Sequence, residues 1–372
     1  MQYFKSYTSN SVAGSGNQLW YTAEEAKTGR IFYRIEAGGT FLYSLLFSNV
    51  IDSTYADGSK SRKNLICKEW NILGARIGRL KKDGIPKDFT DPKIAKSVNG
   101  SLREFQEITF GGATQKTVAP GEFFTTDPME LSFESGDYLC LEMTVIGQKI
   151  PYHEESLLPV FVLGEDGWKY DRRTPFAGMI GCNRTVKSRI GFLGDSITQG
   201  IGVSPNSYSH WNAVLAQRMG EDFAFWNLGL GYGRADDMAS DGAWLYKARQ
   251  NDWIILCAGV NDLLRGFSAE ETVQNLKTVI TTLKSEGVRI VLQTVPPFDY
   301  TPEKTLLWNR VNGEIKAALA TDVDLVFDTV PILGEASQPQ KAIYGGHPNA
   351  AGCKAWGDAL YAALTALPEF QK

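Results

Sequence analysis

The pattern of hydrophobic and polar positions changes near the middle of the chain. Up to about residue 150, short apolar or alternating runs are separated by Gly, Asn, Asp and Pro, which is typical of β-strands joined by turns. The clearest runs cover residues 31–35, 40–47 and 138–145. Because few helical periodicities lie between them, the pattern predicts an antiparallel β-sandwich.

From residue 187 onward, strand-like and helix-like segments alternate. Apolar runs of strand length occupy residues 189–193, 223–228, 253–258, 289–295 and 325–327. Helical patterns occupy residues 208–219, 269–285, 305–320 and 350–364, and Ser268 with Glu271 forms a capping box before the second of them. Such alternation predicts an α/β domain with a parallel sheet and helices on both faces. The predicted domains are therefore residues 1–186 and 187–372.

One serine stands at the junction between a strand and a helix. The run 189–193 continues directly into Gly194-Asp195-Ser196, and the residues after Ser196 can begin a helix. This arrangement presents a hydroxyl beside helix N–H groups, which favour developing negative charge. The Gly231 turn and Asn261 also follow strands, and ligands of open α/β sheets bind beyond the carboxyl ends of the strands. We therefore expect these residues at one edge of the sheet.

A serine nucleophile needs a base, and the chain has three histidines. His153 lies in the first domain or the linker. His210 lies early in the predicted helix 208–219, where a packing or surface role is expected. His347 lies in a Gly-Gly-His-Pro-Asn turn just before the last helix, and the glycines leave its backbone open. His347 is the candidate base.

Four segments of the second domain resemble, in their order and spacing, the motif blocks of the SGNH (GDSL) hydrolase superfamily. They are Gly-Asp-Ser-Ile-Thr at 194–198, a glycine-rich turn at 227–235, Gly-Val-Asn-Asp at 259–262 and Gly-His-Pro-Asn at 346–349. The resemblance covers roughly the C-terminal half. It implies a three-layer α/β/α, flavodoxin-like SGNH domain. Segments 46–49, 108–112, 119–122 and 126–128 resemble the N-terminal jelly-roll domain of carbohydrate-esterase-like members.

The resemblance also implies roles for individual residues. Ser196 would be the nucleophile and His347 the base. The side-chain amide of Asn261 and the main-chain N–H of Ser196 would stabilise the oxyanion. The third donor in the family is a main-chain N–H of a block glycine, here Gly231 or Gly233.

Further residues are expected around this centre. Tyr232 stands where many relatives carry glycine. Asp195, Tyr232 and Tyr344 are predicted to contact the substrate. Asp195 and Asp262, each next to the key residue of its block, are also expected to brace their loops by accepting backbone N–H bonds.

One position departs from the family pattern. Many SGNH hydrolases carry an aspartate three residues before the histidine, and this chain has Tyr344 there. Three interpretations stay open at this stage. A backbone carbonyl orients His347, or a carboxylate arrives from Asp328 or Asp299, or the domain is inactive.

The composition of the chain reduces the number of functional classes that fit it. A net charge of −4 offers no basic surplus for nucleic acid. Five scattered cysteines without CxxC spacing, together with three distant histidines, predict neither a disulfide framework nor a metal site. No apolar stretch approaches 18 residues and the N-terminus lacks a signal-like apolar region, so no membrane partner and a cytoplasmic location are expected. No cofactor is expected.

The leading hypothesis is a serine esterase acting on a small-molecule or oligosaccharide ester. Its acyl group is expected to be acetyl and its alcohol a carbohydrate or a similar polar compound. Two alternatives remain: a lipid or thioester acylhydrolase of the same superfamily, and a non-catalytic glycan-binding protein.

Overall fold

The computed structural model describes residues 2–53, 65–343 and 345–371. Within these ranges the chain divides into two compact units. The first contains residues 2–53 and 65–185, and the second contains residues 186–371.

The first unit is built almost entirely from antiparallel strands. In its described residues the strands are β1 (Thr8–Ser9), β2 (Leu19–Arg34), β3 (Gly39–Ser48), β4 (Val50–Ile51), β5 (Leu65–Ile66), β6 (Trp70–Leu80), β7 (Phe105–Glu107), β8 (Lys116–Val118), β9 (Phe123–Thr125), β10 (Met129–Phe133), β11 (Tyr138–Tyr152), β12 (Val160–Gly164), β13 (Gly167–Tyr170) and β14 (Met179–Cys182). The helices are α1 (Tyr3–Ser6) and α2 (Pro92–Ser101).

These strands form two main sheets. One has the order β1-β14-β3-β10 with β9 also on β3, and the other has the order β13-β12-β2-β11-β6-β7 with β8 also on β6. All of their pairings are antiparallel. Trp70 and Phe124 bring their rings together from different sheets, with centroids 6.2 Å apart. The architecture is consistent with the predicted sandwich.

The helix α2 was not predicted from the sequence. It covers the outer face of the larger sheet, where Phe32 and Val98 belong to one buried cluster. Residues 29–33 of β2 are therefore all buried and show no alternation. Asp91 caps the helix by accepting the Lys93 N–H at 2.7 Å, and Pro92 occupies its first turn.

The second unit alternates strands and helices, as predicted. Its described strands are β15 (Ser188–Gly194), β16 (Phe223–Gly229), β17 (Trp253–Cys257), β18 (Arg289–Gln293), β19 (Leu325–Phe327), β20 (Gly334–Glu335) and β21 (Gln338–Pro339). Its described helices are α3 (Ser196–Gln199), α4 (Trp211–Met219), α5 (Ala235–Ala239), α6 (Ala243–Ala248), α7 (Val260–Leu264), α8 (Ala269–Ser285), α9 (Pro302–Ala317), α10 (Val330–Leu333) and α11 (Ala350–Thr365), with single 3₁₀ turns at Leu319–Asp322 and Pro368–Phe370.

Five of these strands form a parallel sheet with the order β16-β15-β17-β18-β19. The chain first steps from β15 to β16 and later moves away in the opposite direction. Because crossovers between parallel strands are right-handed, the first connecting helix and the later ones lie on opposite faces. The packing agrees, since α4 contacts α11 whereas α8 contacts α5 and α9. The predicted parallel sheet is confirmed.

The helix after the serine begins later than the sequence suggested. Tyr208 has a φ of 49°, which a helix does not tolerate, and α4 starts only at Trp211. His210 is its N-cap and its ring accepts the Ala213 N–H at 3.3 Å. By contrast, the capping box of Ser268 and Glu271 forms as predicted at the start of α8.

Across the described ranges, no helix combines the length and the apolar character that a membrane crossing requires.

Candidate active site

The strand β15 delivers Ser196 to the carboxyl edge of the parallel sheet. Asp195 is the N-cap of the short helix α3, and its Oδ1 accepts the Ile197 N–H at 2.9 Å. Gly194 is needed because a Cβ at that position would lie 2.1 Å from Thr198 Oγ1. The main-chain N–H of Ser196 is the first of the helix and has no acceptor within it. The strand end therefore presents both a hydroxyl and a main-chain donor.

The segment before α11 carries His347. Ile343 N–H donates to the His347 carbonyl at 2.9 Å, and Asn349 caps α11 by accepting the Gly352 N–H at 3.0 Å. The Phe298 ring packs edge-on against the imidazole, with centroids 5.4 Å apart. These contacts fix the ring of a buried histidine.

Ser196 and His347 meet although 151 positions separate them in the sequence. Ser196 Oγ lies 2.9 Å from His347 Nε2, within hydrogen-bond distance. The contact has the geometry of a nucleophile and its general base.

Asn261 is held beside the glycine-rich turn that follows β16. It lies in the first turn of α7, and its Nδ2 donates to the Gly233 carbonyl at 3.0 Å. This bond uses one of the two N–H groups of the amide. Asp262 binds the start of α5, since its carboxylate accepts the N–H groups of Ala235 at 2.9 Å and Asp236 at 3.3 Å. Two neighbouring loops are thus fastened to each other.

The two glycines named as third donors both use their N–H groups inside the protein. Gly231 N–H donates to Gln199 Oε1 at 2.6 Å, and Gly233 N–H donates to the Leu230 carbonyl at 3.1 Å. In this conformation neither N–H is available to an oxyanion. Gln199 was not identified from the sequence, where nothing in its spacing indicated a contact with the turn.

Tyr232 lies between these two glycines. Its φ of 62° is left-handed, a conformation that glycine adopts most readily and that fits the position where relatives carry glycine. Its side chain is 37% exposed. Tyr344, the other tyrosine expected to contact substrate, lies outside the described residues.

Asp328 and Asp299 were the candidate orienting carboxylates for His347. Asp328 binds other groups: Thr294 Oγ1 at 3.1 Å, the Val330 N–H at 3.2 Å and Lys316 Nζ at 2.5 Å. Asp299 is exposed, and its own N–H donates to the Gly345 carbonyl.

Two buried carboxyl groups lie behind the site. Burial raises the pKa of Asp195 to about 7, although its bond to Ile197 opposes the rise, and the charge of Asp262 adds to it. Burial also raises the pKa of Asp262 to about 7 against its two backbone bonds. The side chain of Asp195 is buried and caps α3, and its contact with substrate stays a prediction.

His153 and His210 are both buried, His153 in the first unit and His210 at the cap of α4. Among the side chains that the structure describes, no group of three or more His, Cys, Asp or Glu residues could hold a metal ion.

Solved structures that are similar to about half of this chain include three proteins. A member of the lipolytic protein G-D-S-L family from Veillonella parvula is 22% identical, with 48% of this chain and 99% of that chain covered and a TM-score of 0.40. The inhibitor-bound aryl esterase of M. smegmatis is 19% identical over 48% and 99%, with a TM-score of 0.38. The psychrotrophic esterase EstA of Pseudoalteromonas sp. is 17% identical over 48% and 97%, with a TM-score of 0.39.

Comparison with curated proteins gave no match. The profile of the GDSL-like lipase/acylhydrolase family matches residues 192–355, a range that begins within β15 and ends within α11. This range contains the serine, the glycine-rich turn, the asparagine and the histidine described above. Residues 192–355 therefore belong to the GDSL-like lipase/acylhydrolase family, and the protein is a carboxylic ester hydrolase.

Proposed function

We propose that the protein is a serine esterase in which Ser196 attacks the ester carbonyl and His347 acts as general base. The observation that carries this proposal is the 2.9 Å contact between Ser196 Oγ and His347 Nε2. Positions so distant in the sequence come within hydrogen-bond distance only because the fold brings the end of β15 and the segment before α11 together.

The reaction follows from this pair. Nε2 of His347 takes the hydroxyl proton as Oγ bonds to the carbonyl carbon, and a tetrahedral oxyanion forms. The imidazolium then gives the proton to the leaving alcohol oxygen, and an acyl-enzyme remains. Water, deprotonated by the same nitrogen, attacks the acyl carbon, and Ser196 leaves with the proton returned to its oxygen.

Two donors for the oxyanion are proposed from the described geometry. The first is the main-chain N–H of Ser196 at the start of α3. The second is the side-chain amide of Asn261, which still has one N–H after its bond to Gly233. Loss of one such donor lowers kcat by a factor of about 10²–10³ in serine hydrolases.

We propose a backbone-oriented Ser–His dyad without a carboxylate. Both oxygens of Asp328 accept from groups other than His347, and Asp299 is exposed. Tyr344 replaces the aspartate of the family motif.

The proposed substrate is an O-acetyl ester of a carbohydrate or a similar polar alcohol. The exposed ring of Tyr232, in the glycine-rich turn beside Asn261, supports this substrate class, because tyrosine offers a flat apolar face with a polar tip. We also propose that the first unit is a jelly-roll sandwich and that the second is a flavodoxin-like three-layer domain. This is the domain arrangement of the carbohydrate-esterase-like proteins that the sequence resembles. We propose that the protein binds neither nucleic acid nor a membrane.

A longer acyl chain is the second candidate. Ile343, whose N–H binds the His347 carbonyl, is 48% exposed and offers apolar surface close to the base. A lipid or thioester substrate would use this surface.

The test compares Ser196→Ala with Ser285→Ala, a control at the end of α8 whose hydroxyl only binds the Thr282 carbonyl. Ser196→Ala should lose turnover of p-nitrophenyl acetate and labelling by a fluorophosphonate, with its unfolding temperature unchanged. Ser285→Ala should keep both activities. Wild-type preference for the acetyl ester over longer p-nitrophenyl esters supports the acetylesterase, and the reverse supports the second candidate. Turnover that survives in Ser196→Ala would refute the mechanism, and absence of turnover in the wild type would favour a glycan-binding protein.

A further inference from the structure

Gln199 is a buried polar residue that the proposed reaction does not use. It ends α3, three residues after the nucleophile, and is only 2% exposed. Its Oε1 accepts the Gly231 N–H at 2.6 Å, so the helix that carries Ser196 is bonded to the glycine-rich turn.

The main chain of Gln199 contacts the same segment. Its carbonyl accepts Asn227 Nδ2 at 3.4 Å. A Cβ on Gly229 would lie 2.1 Å from the Gln199 nitrogen, so the backbones of α3 and β16 approach more closely than any residue other than glycine permits. One residue thus sets the distance between the nucleophile helix and the turn.

The far end of the turn is held independently. The Gly233 N–H closes the turn on the Leu230 carbonyl, and the Gly233 carbonyl accepts the Asn261 amide at 3.0 Å. Tyr232, between the two held glycines, has its peptide unit fixed in the left-handed conformation. The bond from Gln199 ties this turn to the helix of the nucleophile.

We propose that Gln199 is a positioning residue for the oxyanion site, and that its Oε1 holds the turn so that the Gly233 carbonyl keeps the Asn261 amide oriented as a donor. This inference rests on the proposed esterase mechanism. Gln199 touches neither substrate nor reacting atoms. It acts through the glycine-rich turn, because Gly231 binds Gln199 and Gly233 binds the Asn261 amide.

The test is Gln199→Met, which keeps the length of the side chain and removes the acceptor. With p-nitrophenyl acetate we expect kcat to fall about 10- to 100-fold, part of the loss that accompanies removal of a donor. KM should change less than about two-fold, because the bond acts on the transition state and not on substrate binding.

The matched control is Gln293→Met. Gln293 is also a fully buried glutamine of the second unit, and its Oε1 accepts Trp356 Nε1 at 2.7 Å. Both variants lose one acceptor of a buried N–H, so their unfolding temperatures should fall by similar amounts. Only Gln199→Met should lose kcat. If Gln199→Met does not fold, Gln199→Asn replaces it, since its side chain is one methylene too short to reach Gly231.

Two results would overturn the inference. One is a kcat of the Gln199 variant within about three-fold of wild type. The other is an equal loss of kcat in Gln293→Met, which would show a purely structural effect. Failure of the esterase mechanism itself is separate, because it would appear as turnover that survives in Ser196→Ala or as absence of turnover in the wild type.

Discussion

Replacement of Asp262 by asparagine should change how the free energy of unfolding depends on pH. Asp262 is 0% exposed, and burial raises its pKa to about 7. Its bonds to the Ala235 and Asp236 N–H groups oppose this rise without cancelling it. Asp195, close enough for its pKa to be raised by the charge of Asp262, also titrates near 7.

The sign follows from proton binding. A carboxyl group whose pKa is higher in the folded chain holds its proton more tightly there, so folding is favoured at low pH. The free energy of unfolding should fall as pH rises from about 4, the ordinary aspartate value, to about 7, and then stay level. A rise of three pKa units corresponds to about 4 kcal/mol for one carboxyl, of which about 3 kcal/mol is lost between pH 5 and pH 8.

Asparagine stays neutral at both pH values, so Asp262→Asn removes the pH-dependent contribution of one buried carboxyl group. It also removes the negative charge that raises the pKa of Asp195. Urea unfolding of the full chain at pH 5 and pH 8, followed by tryptophan fluorescence, measures the difference. Between pH 5 and pH 8, the free energy of unfolding of the variant should fall by about 3 kcal/mol less than that of the wild type, measured in the unfolding transition that the substitution shifts.

Asp358→Asn is the control in the same unit. A hydrogen bond from Lys354 lowers the pKa of Asp358, so its contribution is lost only below about pH 4 and should be equal at pH 5 and pH 8. If Asp262→Asn keeps the full wild-type difference between the two pH values, the argument from burial is wrong.

Three further predictions concern activity. Asp328→Asn and Asp299→Asn should leave kcat for p-nitrophenyl acetate nearly unchanged; a fall of about 10⁴-fold in either would reveal a catalytic triad. Gly202→Ala should lower kcat about 10- to 100-fold by displacing the segment that carries His347. The φ of Gly202 is 113°, and a Cβ there would lie 2.4 Å from the Pro348 carbonyl oxygen. Gly287→Ala, with a φ of 82° but open space around it, should keep kcat, and equal losses in both would disprove the displacement. Dialysis against EDTA should leave activity intact, whereas a loss restored by one divalent ion would contradict a metal-free mechanism.

The second unit could be predicted well because its helices and strands are long, and because the hydrophobic repeat of a helix differs from that of a strand. The helix 269–285 matches α8 to the residue, and the five parallel strands agree within two residues. Periodicity could not reveal α2, because a helix of ten residues with three buried positions gives little pattern. Its signal was local, namely Asp91 followed by Pro92.

The site was predictable only where side-chain type and motif order carry the information. Ser196, Asn261 and His347 were named because few residue types suit their chemistry. The use of the Gly231 and Gly233 N–H groups was not predictable, since main-chain donors leave no mark in the sequence. Gln199 was missed for a similar reason: an amide that binds a backbone atom has no partner residue type to search for.

The loop after β16 is held through main-chain groups: Gln199 and Asn261 bind its N–H and carbonyl groups, and Asp262 binds the N–H groups that follow. These bonds do not use the side chain at position 232, so they survive its exchange. Substrate preference could thus be redesigned at one position while the reaction centre stays intact. The left-handed backbone sets the limit, since Asn or Gly suits it there and a β-branched residue does not.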